Sequence, residues 1–85
     1  MLKIRKLLIC KDGFEMSVQA SSGHYCTPRI DDADFYTAYE IGFPSQKESL
    51  IMKYAEEKKR PTETVYGYVP TEIVCKVIKK HGGLK

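Results

Sequence analysis

The chain has 85 residues, of which 42% are hydrophobic and 29% are charged, and its formal net charge is +3. This size fits one domain with a small core, and the apolar content is too high for a disordered chain. No apolar run approaches the ~18 residues of a membrane-spanning helix. The three cysteines, Cys10, Cys26 and Cys75, are odd in number and widely spaced, which does not suit a disulfide framework. With no secretory segment apparent, we expect a single domain over residues 1–85 in the cytoplasm, with free thiols.

The positive charge is concentrated at the two ends of the chain. Residues 1–11 and 73–85 contain lysine and arginine but no acid, whereas all eleven acids lie between residues 12 and 72. If the two ends are neighbours in space, they form a basic face for an anionic partner; otherwise these charges are simply solvated. One alternative function is therefore nucleic-acid binding through Lys3, Arg5, Lys6, Lys76, Lys79 and Lys80.

Alternation of apolar and polar residues predicts a β-hairpin over residues 3–20. Leu8 and Cys10 share one parity of the first strand, and Met16 and Val18 share one parity of the second. Between the strands, Asp12-Gly13 suits a two-residue type I′ turn, because both residue types tolerate positive φ.

Residues 21–34 are rich in turn-forming residues and have no sustained period, which predicts a long loop. Loops of this length often carry function. The loop contains His24 and Cys26, and a thiolate needs a nearby base or cation to form at neutral pH. A thiol enzyme centred on Cys26 is thus a second alternative function, weighed against a half-buried structural cysteine. The cysteine and histidine spacings match no paired zinc ligands, so we predict no metal site and no cofactor.

The second half of the chain predicts one more strand and a helix before the final strand. Residues 35–43 alternate again, which indicates a third strand. Ser45 and Glu48 have the spacing of a capping box, and the apolar residues that follow recur at helical spacing. We therefore expect a helix over residues 46–59, closed by Pro61.

The last strand and helix are predicted from residues 64–82. Residues 64–69 are β-branched and aromatic, and Gly67 within them marks a bulge or the close approach of another backbone. An apolar stripe predicts a helix over residues 71–81, which stops at Gly82. The order β-β-β-α-β-α is typical of an α+β domain, with a mainly antiparallel sheet and the helices packed on it.

Six tyrosines and no tryptophan are unusual for so short a chain. Tyrosine combines an apolar ring with a hydroxyl group and favours interfaces and ligand clefts. Alternation places Tyr66 and Tyr68 together on the strand face opposite Val69. Arg29, close to Tyr25 in the long loop, could bind a phosphate or carboxylate group. The predicted recognition surface, as opposed to simple packing, consists of Tyr25, Arg29, Tyr66 and Tyr68.

Five short blocks of the chain resemble small proteins of unassigned activity encoded by bacteriophages and prophages. The blocks are residues 16–20, 25–29, 42–45, 65–70 and 80–83. The resemblance implies a phage or prophage accessory protein, a class that often binds host proteins, nucleic acid or small molecules. It brings no functional residues with it. The leading hypothesis is therefore a non-enzymatic binding protein for a host protein or a small molecule, stabilised as a homo-oligomer.

Overall fold

A computed structural model describes residues 6–85 and shows an α+β fold. Four antiparallel strands lie side by side in chain order: β1 (Lys6–Ile9), β2 (Glu15–Gln19), β3 (Ala38–Gly42) and β4 (Val65–Pro70). A 3₁₀ helix, Ser49–Tyr54, lies between β3 and β4, and the helix α1 (Thr71–Lys80) follows β4 directly. Within these residues no helix has the length and apolar character needed to cross a bilayer. The predicted fold class is confirmed, while the first of the two predicted helices is a short 3₁₀ helix.

The β-hairpin is confirmed over residues 6–19, while residues 3–5 of the prediction lie outside the described residues, and its turn is not the predicted type I′. The loop has three residues, since the N–H of Cys10 donates to the carbonyl of Phe14 and the N–H of Gly13 donates to the carbonyl of Cys10. Gly13 alone in this loop has positive φ, at 96°. The Asp12 carboxylate accepts a hydrogen bond from the N–H of Phe14, at 2.9 Å, which favours this longer turn.

The prediction of an α-helix over residues 46–59 is wrong. Ser45 does not cap a helix, because its hydroxyl accepts the N–H of Glu15 in β2. Glu48 is the N-cap instead, with its carboxylate accepting the N–H of Leu50. After Tyr54 the chain becomes extended and pairs with β4 through an isolated bridge between Ala55 and Tyr66. Pairing with the sheet thus overrides the helical period of the sequence.

A β-bulge in β4 separates the two tyrosines that the sequence placed on one face. Tyr39 pairs with Val69 and Ile41 pairs with Tyr66, so β4 holds one residue more than β3 between these pairs. The extra residue reverses the alternation, and Tyr66 and Val69 both point into the core, fully buried. Tyr68, in contrast, has φ 54° and is 46% exposed. The bulge expected at Gly67 is therefore present, and the shared face of Tyr66 and Tyr68 is wrong.

The core lies between the sheet and the two helical elements. Met16, Ile41, Ile51 and Tyr66 are its largest fully buried apolar side chains, and the Tyr66 hydroxyl donates to the carbonyl of Pro61. From α1, Val74 and Val77 are buried, whereas Ile73 and Ile78 are only partly buried, as is Val65 at the start of β4.

The end of α1 is confirmed at the predicted glycine. Gly82 has φ 90°, and its N–H donates to the carbonyl of Lys79. The N–H of Gly83 donates to the carbonyl of Ile78, which completes a Schellman motif. This motif turns the chain back towards the hairpin and fixes the position of His81, the C-cap of α1.

Alanine substitution distinguishes the two tyrosines of β4. Tyr66→Ala removes a fully buried ring, so we expect it to lower the free energy of unfolding by about 3 kcal/mol or more. Tyr68→Ala should cost less than about 1 kcal/mol, because its ring is half exposed. Equilibrium urea denaturation measures both values. Equal losses would contradict the inversion at the bulge.

Candidate binding site

A shallow groove of about 270 Å³ runs along the outer edge of β4 and is lined by Tyr25, Tyr54, Glu56, Gly67 and Tyr68. We call it the tyrosine groove. Two segments from elsewhere in the chain pair with β4 at this edge. The N–H of Tyr68 donates to the carbonyl of Tyr25 at 2.9 Å, and the N–H of Glu56 donates to the carbonyl of Val65 at 3.0 Å. Gly67 lies between these contacts, so the sheet itself forms the floor of the groove.

Tyr25 is fixed by contacts along both its backbone and its ring. Its N–H donates to the Glu40 carboxylate at 2.9 Å, and its ring centroid lies 5.9 Å from that of Tyr68. The Arg29 guanidinium carbon lies 5.3 Å from the Tyr25 ring centroid, within the range of a cation–π contact. A Cβ on Gly67 would lie 3.2 Å from the Cβ of Tyr25. Glycine is needed there because Tyr25 packs so closely against β4.

Three of the four predicted recognition residues therefore lie together, and the fourth does not. Tyr25, Arg29 and Tyr68 form one exposed cluster, while Tyr66 is fully buried on the other side of the strand and cannot contact a partner. Its burial also raises the pKa of the Tyr66 hydroxyl. The bulge causes this separation of Tyr66 from Tyr68, and the alternation of residues in the sequence gives no sign of it.

Sequence reasoning missed two residues of the groove, Tyr54 and Glu56. Both lie within the α-helix that the sequence predicts over residues 46–59. They reach the groove because the 3₁₀ helix ends at Tyr54 and the chain then runs extended along β4. The Lys53 ammonium lies 5.5 Å from the Tyr54 ring centroid and covers part of that ring. Pro61, read as a helix stop, gave no signal that the helix would end earlier.

A second cluster of polar side chains surrounds His81, in which His81 and Glu48 are buried while Asp12 and Lys80 are about half exposed. Its Nδ1 lies 2.6 Å from Asp12 Oδ2 and its Nε2 lies 2.7 Å from Glu48 Oε1. Lys80 Nζ donates to Glu48 Oε2 at 2.8 Å. The Phe14 ring stacks on the imidazole at 4.1 Å between centroids. We call these four charged residues the His81 network.

The charges of the His81 network stabilise one another. Burial opposes the positive charge of His81, but hydrogen bonds to Glu48 and Asp12 outweigh it and raise the pKa of the imidazole. Burial likewise opposes ionisation of Glu48, yet donors from Lys80, Leu50 and His81 lower the pKa of that carboxyl. The N–H of Phe14 and the His81 ring lower the pKa of Asp12. The imidazolium form, donating from both nitrogens, fits this arrangement.

This geometry makes His81 a structural residue. Each ring nitrogen already bonds a carboxylate, and the ring face is covered by Phe14, so no lone pair is free to accept a substrate proton. Burial of Cys10, the nearby thiol, together with the charge of Asp12 raises the pKa of that thiol. A protonated thiol is a poor nucleophile.

The loop histidine and cysteine do not form a nucleophile and base. Cys26 is buried, and its Sγ donates to the carbonyls of Ser21 and Pro28 at 3.2 and 3.3 Å. The His24 Nδ1 bonds the Ser21 hydroxyl instead, at 2.6 Å. Within residues 6–85 no group of three or more histidine, cysteine or acidic side chains is arranged to hold a metal ion.

The two basic ends of the chain meet at the edge of β1. Cys10 forms an isolated antiparallel bridge with Leu84, and the N–H of Lys11 donates to the carbonyl of Gly83. Of the six lysines and arginines predicted for nucleic acid, Lys76 and Lys79 are exposed on α1, and Lys80 is paired with Glu48. Lys3 and Arg5 lie outside the described residues, as does the side chain of Lys6.

The chain matches no family model, no curated protein and no solved structure. The tyrosine groove and the His81 network are therefore interpreted from their own geometry.

The His81 network predicts a stability maximum between about pH 5 and pH 6.5. A raised pKa of His81 in the folded state gives stability that is complete below about pH 6.5 and is lost as the pH rises through the folded value. Lowered pKa values of Glu48 and Asp12 give stability that is lost as the pH falls below about 4. Urea denaturation of wild type and His81→Gln at a series of pH values measures the loss of stability above and below this maximum.

Between about pH 6 and pH 8, the free energy of unfolding of His81→Gln should depend much less on pH than that of the wild type. This range lies below the pH at which the Cys10 thiol contributes. The matched control is His24→Gln, because the His24 side chain forms a hydrogen bond only with the Ser21 hydroxyl in the described structure. An unchanged slope in His81→Gln would contradict the assigned roles.

Proposed function

We propose that this protein is a non-enzymatic binding module that recognises a segment of a partner protein through the tyrosine groove. The observation that carries the proposal is Tyr68, a residue with φ 54° whose large ring is nonetheless 46% exposed. The left-handed conformation costs a residue with a Cβ about 1 kcal/mol, which glycine would avoid. A tyrosine at this position sacrifices stability to present its ring, which supports a role in recognition.

The neighbours of Tyr68 strengthen this interpretation. Phe43 is also exposed and has φ 48°, but no aromatic or cation–π contact involves it within the described residues. Tyr68 differs because its ring contacts Tyr25, which is held by hydrogen bonds to Glu40 and to the Tyr68 backbone. Rings that are already ordered lose little conformational entropy when they bind, so they are effective anchors.

The dimensions of the groove favour a side chain of a partner protein over an enclosed small molecule. Pockets for small ligands are about 300–1,000 Å³ and bury most of the ligand. The tyrosine groove, at about 270 Å³, is smaller and open along the strand. A partner that laid one or two side chains into it could continue along the surface on either side. Together with the resemblance to phage and prophage accessory proteins, this supports a host protein as the partner.

Alanine substitution of Tyr68 tests this proposal with a well-matched control. Selection of a random peptide library on the wild-type protein should give binders that lose about tenfold or more in affinity for Tyr68→Ala and for Tyr25→Ala. Phe43→Ala removes another exposed ring at positive φ, outside the groove, and should bind the same peptides unchanged. Circular dichroism checks that each variant is folded. Equal binding by Tyr68→Ala and wild type would refute the proposal.

A second candidate function, nucleic-acid binding, is favoured by the meeting of the two basic ends. The bridge between Cys10 and Leu84 brings the first strand beside the segment that follows α1. The exposed lysines of α1, Lys76 and Lys79, add positive charge to the same part of the chain. Against it, Lys80 already neutralises Glu48, and the exposed tyrosines lie at β4, the opposite edge of the sheet.

Salt dependence tests the second candidate. Binding of a labelled single strand should weaken steeply as the salt concentration rises, because each neutralised phosphate releases counterions. The double variant Lys76→Ala with Lys79→Ala should reduce the slope of log K against log salt by about 1 to 2. Lys58→Ala with Lys59→Ala removes the same charge far from the two ends and serves as the control. A salt-independent affinity would exclude this function.

A further inference from the structure

We infer that the tyrosine groove takes a cationic side chain, arginine or lysine, from a basic segment of the partner protein. This inference rests on the proposed function and specifies the chemistry of the ligand. Two separate features of the groove carry it: its one charged lining residue is an acid, and the rest of its lining is mainly tyrosine.

The acid is Glu56, and the fold holds it beside the groove. Its N–H donates to the carbonyl of Val65 in β4, which fixes its backbone at the sheet edge. Within residues 6–85, no lysine, arginine or histidine forms an ion pair with Glu56. The carboxylate is thus available as a counter-ion. Glu40, the other acid near Tyr25, is already used because it accepts the N–H of Tyr25.

The aromatic rings supply a second attraction for a cation. The face of a tyrosine ring carries partial negative charge and attracts ammonium and guanidinium groups within about 6 Å of its centroid. The protein already shows this interaction twice, with Arg29 on Tyr25 and Lys53 on Tyr54. Within residues 6–85 no cation lies over the Tyr68 ring, and Tyr68 is the most exposed of the three groove tyrosines, at 46% against 41% for Tyr25. We therefore place the ligand cation between Tyr68 and Glu56, above Gly67.

Arg29 and Lys53 also limit what the groove can take. Their charges lie over the outer rings and would repel a cation that approached from those sides. The space beside Glu56 is the part of the groove where an acid faces the ligand. A narrow approach of this kind suits one extended side chain on a peptide and is a poor match for a broad, highly basic surface.

The test begins with the random-peptide selection on wild-type protein. We expect the enriched peptides to share an arginine or lysine. The tightest binder is then synthesised with that residue and with citrulline or norleucine in its place, which keep the length but remove the charge. Isothermal titration should show an affinity loss of about tenfold for the neutral peptide, the size expected for one cation–π contact with an ion pair.

Variants of the protein supply the matched comparison. Glu56→Gln removes the ion pair but keeps the cation–π contact, so it should weaken the cationic peptide by about two- to fivefold and leave the neutral peptide unchanged. Glu57→Gln removes the neighbouring acid, which does not line the groove and accepts the N–H of Lys59, and should bind like wild type. Equal losses for the two variants would show a long-range charge effect only and would overturn the inference.

The outcomes separate this inference from the function beneath it. Binders that require Tyr68 but contain no basic residue would overturn the cationic ligand and leave the binding module intact. Binders that are indifferent to Tyr68→Ala, or no binders at all, would overturn both. Binders that require Tyr68, Glu56 and a positive charge together would support both.

Discussion

The structure depends on a charge network in which the buried imidazole of His81 bridges the buried carboxylate of Glu48 and the half-exposed carboxylate of Asp12. His81 is the last cap of α1, Asp12 lies in the hairpin turn, and Glu48 begins the 3₁₀ helix, so three separate parts of the chain meet at one ring. Buried charges are costly unless all are paired, and here each carboxylate and both ring nitrogens have partners. The arrangement therefore specifies one docking of these elements and tolerates few others.

The same network bears on the tyrosine groove through the chain that follows Glu48. The 3₁₀ helix starts at Glu48 and ends at Tyr54, and the next two residues run along β4 to form one wall of the groove. The bulge in β4 forms the other constraint, because it places Tyr66 in the core and turns Tyr68 outward beside Tyr25. The stable core and the exposed ring of Tyr68 thus use neighbouring residues of one strand. This division lets the protein present strained, exposed rings without loss of its hydrophobic packing.

Much of the fold could be predicted because its signals are local. Alternation identified β2, glycine marked the end of α1, and the glycine in β4 indicated the bulge. The candidate site could be predicted in part, since Tyr25, Arg29 and Tyr68 were chosen for their chemistry and do lie together. Tyr66 was misplaced, and Tyr54 and Glu56 were missed. These errors share one cause. Pairing between distant segments decides the register of β4 and the end of the 3₁₀ helix, and a short window of neighbouring residues holds no information about that pairing.

The amino-acid sequence by itself determined the α+β class, the hairpin, the last helix with its stop at Gly82, and the presence of unexplained tyrosines. These follow from the periods of 2 and 3.6 residues and from the special backbone freedom of glycine, which act over a few residues. The tertiary structure alone decided which tyrosines are exposed, why Glu48 is buried, and how His81 is charged. Those properties arise from contacts between residues far apart in the chain, such as Ile41 with Tyr66 and Glu48 with His81, where burial and pairing outweigh local preference.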